Sequence, residues 1–237
     1  MNSDYRSYND SPDWVGREAV APSAGRSAVA TVFGLLAFSF VFSAVGGVVG
    51  LTLAASGVFG LPFFIIVALT QLGFLIALQP VARRSAPLGL LLLYGFTFLS
   101  GMSLGPIIGF YLVAAPAILG QALLLTAIIT GGLTVFAWTT DISLARFQTW
   151  LFVGLLALIG GSVLAIFVRA TWLEILIGGG GAVLFSLFLI NDVQRIKRME
   201  GTFANAVLMA AMVYLDIVNL FLSLLRLLSA LTGNNRE

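Results

Sequence analysis

The 237-residue sequence contains no cysteine and no histidine. Without cysteine, a disulfide framework and thiolate-bound metals are excluded. Without histidine, the chain lacks the usual zinc ligand and the side chain that ordinarily titrates near neutral pH, so a response in that range must come from carboxylates in unusual surroundings. The formal net charge is only +2, and a few arginines do not make a nucleic-acid surface. We therefore expect no nucleic-acid partner and no bound cofactor.

Charge of either sign is also scarce. Asp, Glu, Lys and Arg make up 9% of the residues, whereas 59% are hydrophobic, and the mean hydropathy is +1.06. A soluble domain carries about 25% charged residues, so this chain could not cover a surface that faces water. The composition indicates an integral membrane protein whose first partner is the lipid bilayer.

Seven apolar segments are each close to the roughly 20 residues that a helix needs to cross the hydrocarbon. They are placed at 28–54, 63–80, 88–111, 116–138, 150–168, 173–191 and 203–230. No break is long enough to link independent domains. The sequence predicts one all-α domain of seven transmembrane helices at 28–230, after a polar, disordered tail at 1–27 and before a short polar tail at 231–237. The seventh segment is interrupted by polar residues, so it either spans fully or is re-entrant.

The basic residues predict the orientation, because short loops rich in Lys and Arg stay in the cytoplasm. One set of loops carries Arg17, Arg26, Arg83, Arg84, Arg146, Arg195, Lys197 and Arg198. The alternate loops carry only Arg169. This distribution predicts a cytoplasmic N terminus.

Small residues recur at a spacing that lets helices approach closely in lipid. Gly46 and Gly50 form one G-x-x-x-G pattern, and Gly101 and Gly105 form another. A run of glycines also occupies 178–181 at the start of the sixth segment. Close packing is the favoured interpretation, and a gating hinge is the alternative.

Two aspartates, Asp192 and Asp216, lie inside or at the edge of apolar runs near the C terminus. Their midpoint is residue 204, beside a predicted turn at 201–202. In an antiparallel pair of helices each would lie about 18 Å from that midpoint, and hence at a similar depth. A carboxylate within a membrane seldom faces lipid. We expect the two to face each other or a shared polar cavity.

Two carboxylates in contact cannot both ionise cheaply, so the pair is expected to share a proton and to titrate as a unit. When both are ionised, the site would attract a hard cation such as calcium. Two carboxylates are too few for tight binding, so a weak or transit calcium site is predicted at Asp192 and Asp216. The alternative is a structural anchor, in which Asp192 pairs with Arg195 or Arg198.

Two further polar residues follow on the seventh segment. Asn219 lies one turn after Asp216 and could line the same cavity, or it could bond to a neighbouring helix. Arg226 lies ten residues, or about 15 Å, beyond Asp216 on the same segment. We expect its side chain to extend to the opposite membrane interface.

Three stretches resemble the Bax inhibitor family, also called the transmembrane Bax-inhibitor-motif family. They are FLINDVQRIKR at 188–198, YLDIVNLFLSLLRLL at 214–228 and LLLYGFTFLSGMSLGPI at 91–107. With the seven-segment hydropathy, the resemblance covers roughly residues 28 to 230. It implies six helices around a central seventh.

The resemblance also implies roles for single residues. Asp192 and Asp216 match the family's hydrogen-bonded, pH-sensing aspartates. Bacterial members are described as pH-sensitive calcium leak channels, so calcium is the expected permeant ion and a bacterial inner membrane the expected location. Arg83 matches, by position, an arginine that helps to hold the closed form. Gln71 departs from the pattern, since some relatives carry an acidic residue in that segment.

A second function class stays open, because eukaryotic relatives regulate cell death and some bacterial relatives bind a membrane-anchored protease. The chain could therefore be a non-conducting interaction protein. Neither class is enzymatic. An intramembrane hydrolase using two aspartates is disfavoured, because the sequence contains no known protease signature, no P-loop and no G-x-S-x-G.

Overall fold

The computed structural model describes residues 23–58, 60–140, 142, 144–168, 170–199 and 202–234. Within these ranges the chain forms seven α-helices and one short 3-10 turn, Ala145–Phe147, and no strand. Residues 1–22 of the predicted tail, with Arg17, lie outside the described residues. So do Asp141, Arg169, Gly201 and residues 235–237.

The helices are α1 (Ser23–Ala55), α2 (Leu61–Arg84), α3 (Ala86–Ala114), α4 (Pro116–Thr139), α5 (Gln148–Phe167), α6 (Thr171–Arg198) and α7 (Phe203–Asn234). All seven are long and apolar enough to cross a membrane. The prediction of an all-α fold with seven transmembrane helices is confirmed.

Four predicted helix ends fell four or more residues short of the helices. The first helix begins at Ser23 rather than at 28, and the second ends at Arg84 rather than at 80. The sixth ends at Arg198 rather than at 191, and the seventh continues to Asn234 rather than 230. Hydropathy marks only the part of a helix that suits hydrocarbon, whereas backbone hydrogen bonding continues into polar residues at the interface. The extension of α6 matters most, because it places Asp192 inside a helix.

Helix α7 is the most extensively packed helix of the described chain. It contacts α1, α2, α3, α4 and α6, and 67% of its membrane-length window is buried. It is also one continuous helix of 32 residues, about 48 Å long at 1.5 Å per residue. That length suffices for a full span. An arrangement of six helices around α7 stays a prediction.

The two G-x-x-x-G patterns face each other in a close, parallel contact of α1 with α3. A Cβ atom at Gly101 would overlap the backbone oxygen of Ser43, and one at Gly105 would overlap that of Gly47. The glycines of α1 meet α3 backbone in the same way, at Phe98 and Met102. The predicted close packing is confirmed, because no larger residue fits these contacts.

Helices α6 and α7 form an antiparallel hairpin. A Cβ atom at Gly178 would lie 2.8 Å from the backbone nitrogen of Leu227, and Arg195 reaches the sulfur of Met212 at 3.7 Å. Counting from these two contacts places Asp192 level with residues 213–215, which is within about 5 Å of the level of Asp216. The hairpin arithmetic therefore gave the right relative depth.

The alternation of helix directions gives the bundle two ends. One carries the α2–α3, α4–α5 and α6–α7 connections and is called the basic end here, because it holds Arg83, Arg84, Arg146, Arg195, Lys197 and Arg198. The opposite end carries the α1–α2, α3–α4 and α5–α6 connections.

Candidate functional site

Asp192 is buried in α6, with 5% of its surface exposed. Its Oδ1 accepts a long hydrogen bond of 3.4 Å from Nη1 of Arg195, one turn further on, and another of 3.3 Å from Nδ2 of Asn191. Arg195 is itself 42% exposed at the side chain. This contact is the one that the anchor interpretation of Asp192 predicted.

Asp216 is buried in α7, with 7% exposed. Its Oδ2 has no hydrogen-bond partner, although a buried polar atom of this kind normally has one. The two carboxyl groups are close enough for a charge on Asp192 to act on Asp216. No hydrogen bond joins the two carboxylates in the described part of the chain. The structure thus brings the predicted pair to one level, with Arg195 attached to one member only.

The polar end of α6 is held in place by the α4–α5 connection. Nε2 of Gln194 donates to the carbonyl of Ile142 at 2.7 Å, and its Oε1 accepts from the backbone N–H of Leu144 at 3.3 Å. Lys197 donates to the carbonyl of Trp138 at 2.7 Å. Because Gln194 is buried and both its amide atoms are satisfied, this turn of α6 is fixed, and Asp192 with it.

A cavity of about 330 Å³ opens beside Asp192 at the basic end. Its polar lining includes Gln79 of α2, Asn191 and Arg195 of α6, and Asn205 of α7. Arg83 lies one turn beyond Gln79, and therefore on the same face of α2. Arg83 is exposed, and it makes no ion pair with any described residue. The structure places it near the cavity and does not pair it with either aspartate.

A polar contact that the sequence did not reveal lies next to the aspartates. Tyr214, fully buried on α7, donates from its hydroxyl to Oγ of Ser43 on α1 at 2.8 Å, and Ser100 of α3 also reaches that hydroxyl. The ring of Phe96 packs edge-on against Tyr214. These residues join three helices two positions from Asp216. No sequence pattern links residues so far apart.

A second polar cluster lies near the opposite end. Nε of Arg226 on α7 donates to Oε2 of Glu174 on α6, in an ion pair, and its Nη1 donates to Oγ of Ser162 on α5 at 3.3 Å. Arg226 was predicted to extend toward the opposite interface, and in the structure it pairs with Glu174 near that end, a partner that the sequence did not reveal. Glu174 was not predicted as a site residue. It is an isolated carboxylate in the predicted segment 173–191, and the same feature in the sequence had singled out Asp192.

Asn219 lines a cavity of about 940 Å³ that includes Glu174 and Arg226. The lining contains neither Asp192 nor Asp216. Asn219 was predicted to line the same cavity as Asp216. In this structure it lines a different cavity, toward the opposite end of the bundle. Among the described residues, no three Asp, Glu, His or Cys side chains cluster as a metal site would require.

Comparison with known proteins identifies the family. The profile of the family described as "Inhibitor of apoptosis-promoting Bax1" matches residues 25–234. The chain belongs to the Bax inhibitor family. An uncharacterized protein of Campylobacter jejuni is 37% identical over 198 residues, which cover 82% of this chain and 84% of that one.

Relatives also occur outside bacteria. Mouse protein lifeguard 4 is 31% identical over 166 residues, covering 70% of this chain and 68% of its own. The Golgi anti-apoptotic protein of vaccinia virus is 30% identical over 200 residues, covering 83% and 82%. The resemblance carried by the aspartate-containing motifs is confirmed, and this Bax inhibitor family member is an integral membrane protein.

Proposed function

We propose that this Bax inhibitor family member is a cation leak channel, with calcium as the permeant ion, gated by pH through Asp192 and Asp216. The observation that carries the proposal is the buried Oδ2 of Asp216, which lacks a partner beside a second carboxylate. The energy of such a group changes strongly when a proton is gained or lost. A gate that responds to pH needs a group of this kind.

The charge pattern supports cation rather than anion passage. Of the two carboxylates only Asp192 has an arginine partner, Arg195. Full ionisation therefore leaves the two aspartates and Arg195 net negative, while Arg198 lines the cavity further out. Oxygen ligands suit calcium, and two carboxylates alone give a transit site rather than a tight one. A cavity already opens from the basic end to the residues flanking Asp192.

The test is calcium entry into liposomes across a pH series, with purified parent protein, Asp192→Asn, Asp216→Asn and the double variant. If the pair shares a proton, each single variant should lose the pH dependence near neutrality. The double variant should add little, because the pair acts as one unit. Asp141→Asn, at a position outside the described residues, makes the same chemical change elsewhere and should behave like the parent.

Two outcomes would contradict the gate. If only one single variant alters the pH profile, the aspartates do not act together, and Asp192 is then the anchor that its contact with Arg195 suggests. If purified parent protein carries no flux at any pH, conduction itself is excluded.

Arg83 is proposed as a latch that favours the closed form. It lies on the face of α2 that Gln79 presents to the basic-end cavity, whereas Arg84 does not. Arg83→Ala should raise the basal calcium leak at neutral pH, and Arg84→Ala should do less, both measured in the same liposomes. Equal, negligible changes would leave both arginines as interface anchors.

The second candidate is a non-conducting interaction protein that modulates a membrane-bound protease or a stress or cell-death response. The names of two relatives favour it, since the vaccinia protein is called anti-apoptotic and the mouse protein a lifeguard. Absence of flux at every pH selects this candidate. Neither candidate assigns a catalytic step to the chain.

We further propose a bacterial inner membrane location with the N terminus in the cytoplasm, on the strength of the basic end. A reporter fused after Arg84 should then read as cytoplasmic, and one fused after Gly57 as external. Reversed signals would overturn the orientation.

A further inference from the structure

The cavity of about 940 Å³ near the opposite end has no part in the proposed gate. It lies between α3, α5, α6 and α7, and its volume is within the range of sites that hold small molecules. Since the aspartates are absent from its lining, it calls for a separate explanation.

The cavity faces sideways, toward the hydrocarbon. Helix α5 packs along α6 and α3 packs along α1 and α2, but α3 and α5 do not pack extensively against each other. Three isoleucines border the resulting gap, Ile107 from α3 and Ile159 and Ile166 from α5. They are 40%, 52% and 69% exposed while lining the cavity. A molecule dissolved in the bilayer can therefore enter between α3 and α5.

The lining divides into a polar part and an apolar part. Glu174 lies in the first turn of α6, and Ser162 and Arg226 lie five and eight residues before the ends of α5 and α7. The polar part is therefore on the side of the cavity nearer to the lipid head groups. Leu155 and Phe185 lie further inward. Glu174 and Phe185 are eleven residues apart on α6, or about 16 Å. The inner part is mainly apolar, and its polar side chains are Asn219 and Ser223 of α7. A charged end and a mainly apolar channel of this length match one amphiphilic chain.

The charges restrict the head group. One carboxylate and one guanidinium balance each other. A purely anionic head group would be repelled by Glu174, and a free cation would be repelled by Arg226. A head group that carries both charges complements both side chains, with its phosphate at Arg226 and its ammonium at Glu174. Arginine is well suited to bind phosphate in two-pronged contacts.

We propose that this cavity is a binding site for one phospholipid with a phosphoethanolamine head group, whose acyl chain enters between α3 and α5. The head group binds Arg226 and Glu174, and the chain lies along Ile159 toward Phe185. A water-filled cation path is the competing occupant. The balanced charge disfavours it, because Arg226 lines the cavity and would repel a cation.

The test is lipid retention by the purified full-length protein in detergent, counted by native mass spectrometry, with binding curves from thermal shifts. One phosphatidylethanolamine per chain is expected, held about tenfold or more tightly than phosphatidylglycerol. Diacylglycerol, which lacks the charged head, should bind more weakly still. Inorganic phosphate alone should give no shift, because it lacks the chain. Equal retention of all these lipids would overturn the head-group assignment.

Variants locate the site. Arg226→Gln should weaken phosphatidylethanolamine binding about tenfold or more, by the loss of a charge-assisted hydrogen bond. Ile159→Trp fills the apolar part and leaves the ion pair untouched, so it should abolish retention. Ile128→Trp, at a 61% exposed position on α4 that does not line the cavity, is the matched control and should retain the lipid. Retention by Ile159→Trp equal to the control would overturn the site.

The absence of cysteine allows a direct test of water in the cavity. Ser162→Cys would give the only thiol in the chain, beside Arg226. Added phosphatidylethanolamine should slow its reaction with a water-soluble thiol reagent. A fast reaction that lipid leaves unchanged would indicate a water-filled path and overturn the proposal.

Discussion

The hairpin of α6 and α7 carries charge at two levels, and the two differ in balance. Toward the basic end, Asp192 pairs with one partly exposed arginine, Arg195, whereas an oxygen of Asp216 has no partner. Toward the opposite end, Glu174 and Arg226 form a one-to-one ion pair. Both levels lie within helices long enough to cross a membrane.

The difference shows that the partners of a charged group, more than its presence in a transmembrane helix, decide what it can do. In a balanced pair each charge compensates the other, so the pair links the two helices without an excess charge. An unbalanced pair changes its energy with each proton. One hairpin therefore combines a fixed connection with a connection that can vary, which is the combination that the proposed gate requires.

The largest effect on stability is expected at the balanced level. Arg226→Gln leaves Glu174 as an uncompensated charge and should destabilise the protein by about 2–3 kcal/mol. This is less than the 3–5 kcal/mol of a fully buried pair, because the two side chains are 30% and 33% exposed. The measurement is unfolding of the purified protein in detergent.

A double variant tests the origin of that loss. Glu174→Gln combined with Arg226→Gln removes both charges and should recover most of the stability. A double variant as unstable as Arg226→Gln alone would mean that the arginine acts through packing rather than through its partner.

The second prediction concerns the close packing of α6 against α7 next to the ion pair. A Cβ atom at Gly178 would lie 2.8 Å from the backbone nitrogen of Leu227, the neighbour of Arg226, whereas one at Gly179 would meet nothing within 4 Å. Gly178→Ala should therefore push α6 away from α7 and destabilise the protein by about 1–3 kcal/mol in the same assay.

Gly179→Ala is the matched control, and it should be neutral or slightly stabilising, since alanine favours helix more than glycine. Equal effects of the two substitutions would show that α6 and α7 are not held at contact distance beside the ion pair.

The parts of this architecture that the sequence predicted depend on local patterns. Seven helices follow from apolar runs of membrane length, and the matched level of Asp192 and Asp216 follows from a short turn between two helices. The end of α6 was missed, because hydropathy falls at 191 while the helix continues through buried Gln194.

The contacts that were missed join distant parts of the chain. Tyr214 meets Ser43 across 171 positions, and Glu174 meets Arg226 across 52. Each side chain could be singled out alone, as a polar group in an apolar run. The partner could not be, because it depends on which helices pack together.

The smallest effect, and one of opposite sign, is expected at the unbalanced level. Asp216→Asn replaces a buried, ionisable group whose Oδ2 has no partner with an amide that can donate toward the carboxylate of Asp192. The free energy of unfolding at neutral pH should stay unchanged or rise by up to about 1 kcal/mol, the worth of one net hydrogen bond. Asp192→Asn loses the contact with Arg195 instead, so its free energy of unfolding should fall by a similarly small amount.

The free energies of unfolding of both variants are measured beside that of Arg226→Gln in the same detergent. A loss for Asp216→Asn as large as that for Arg226→Gln would mean that Asp216 is as firmly partnered as Glu174, and the contrast between the two levels of the hairpin would then be wrong.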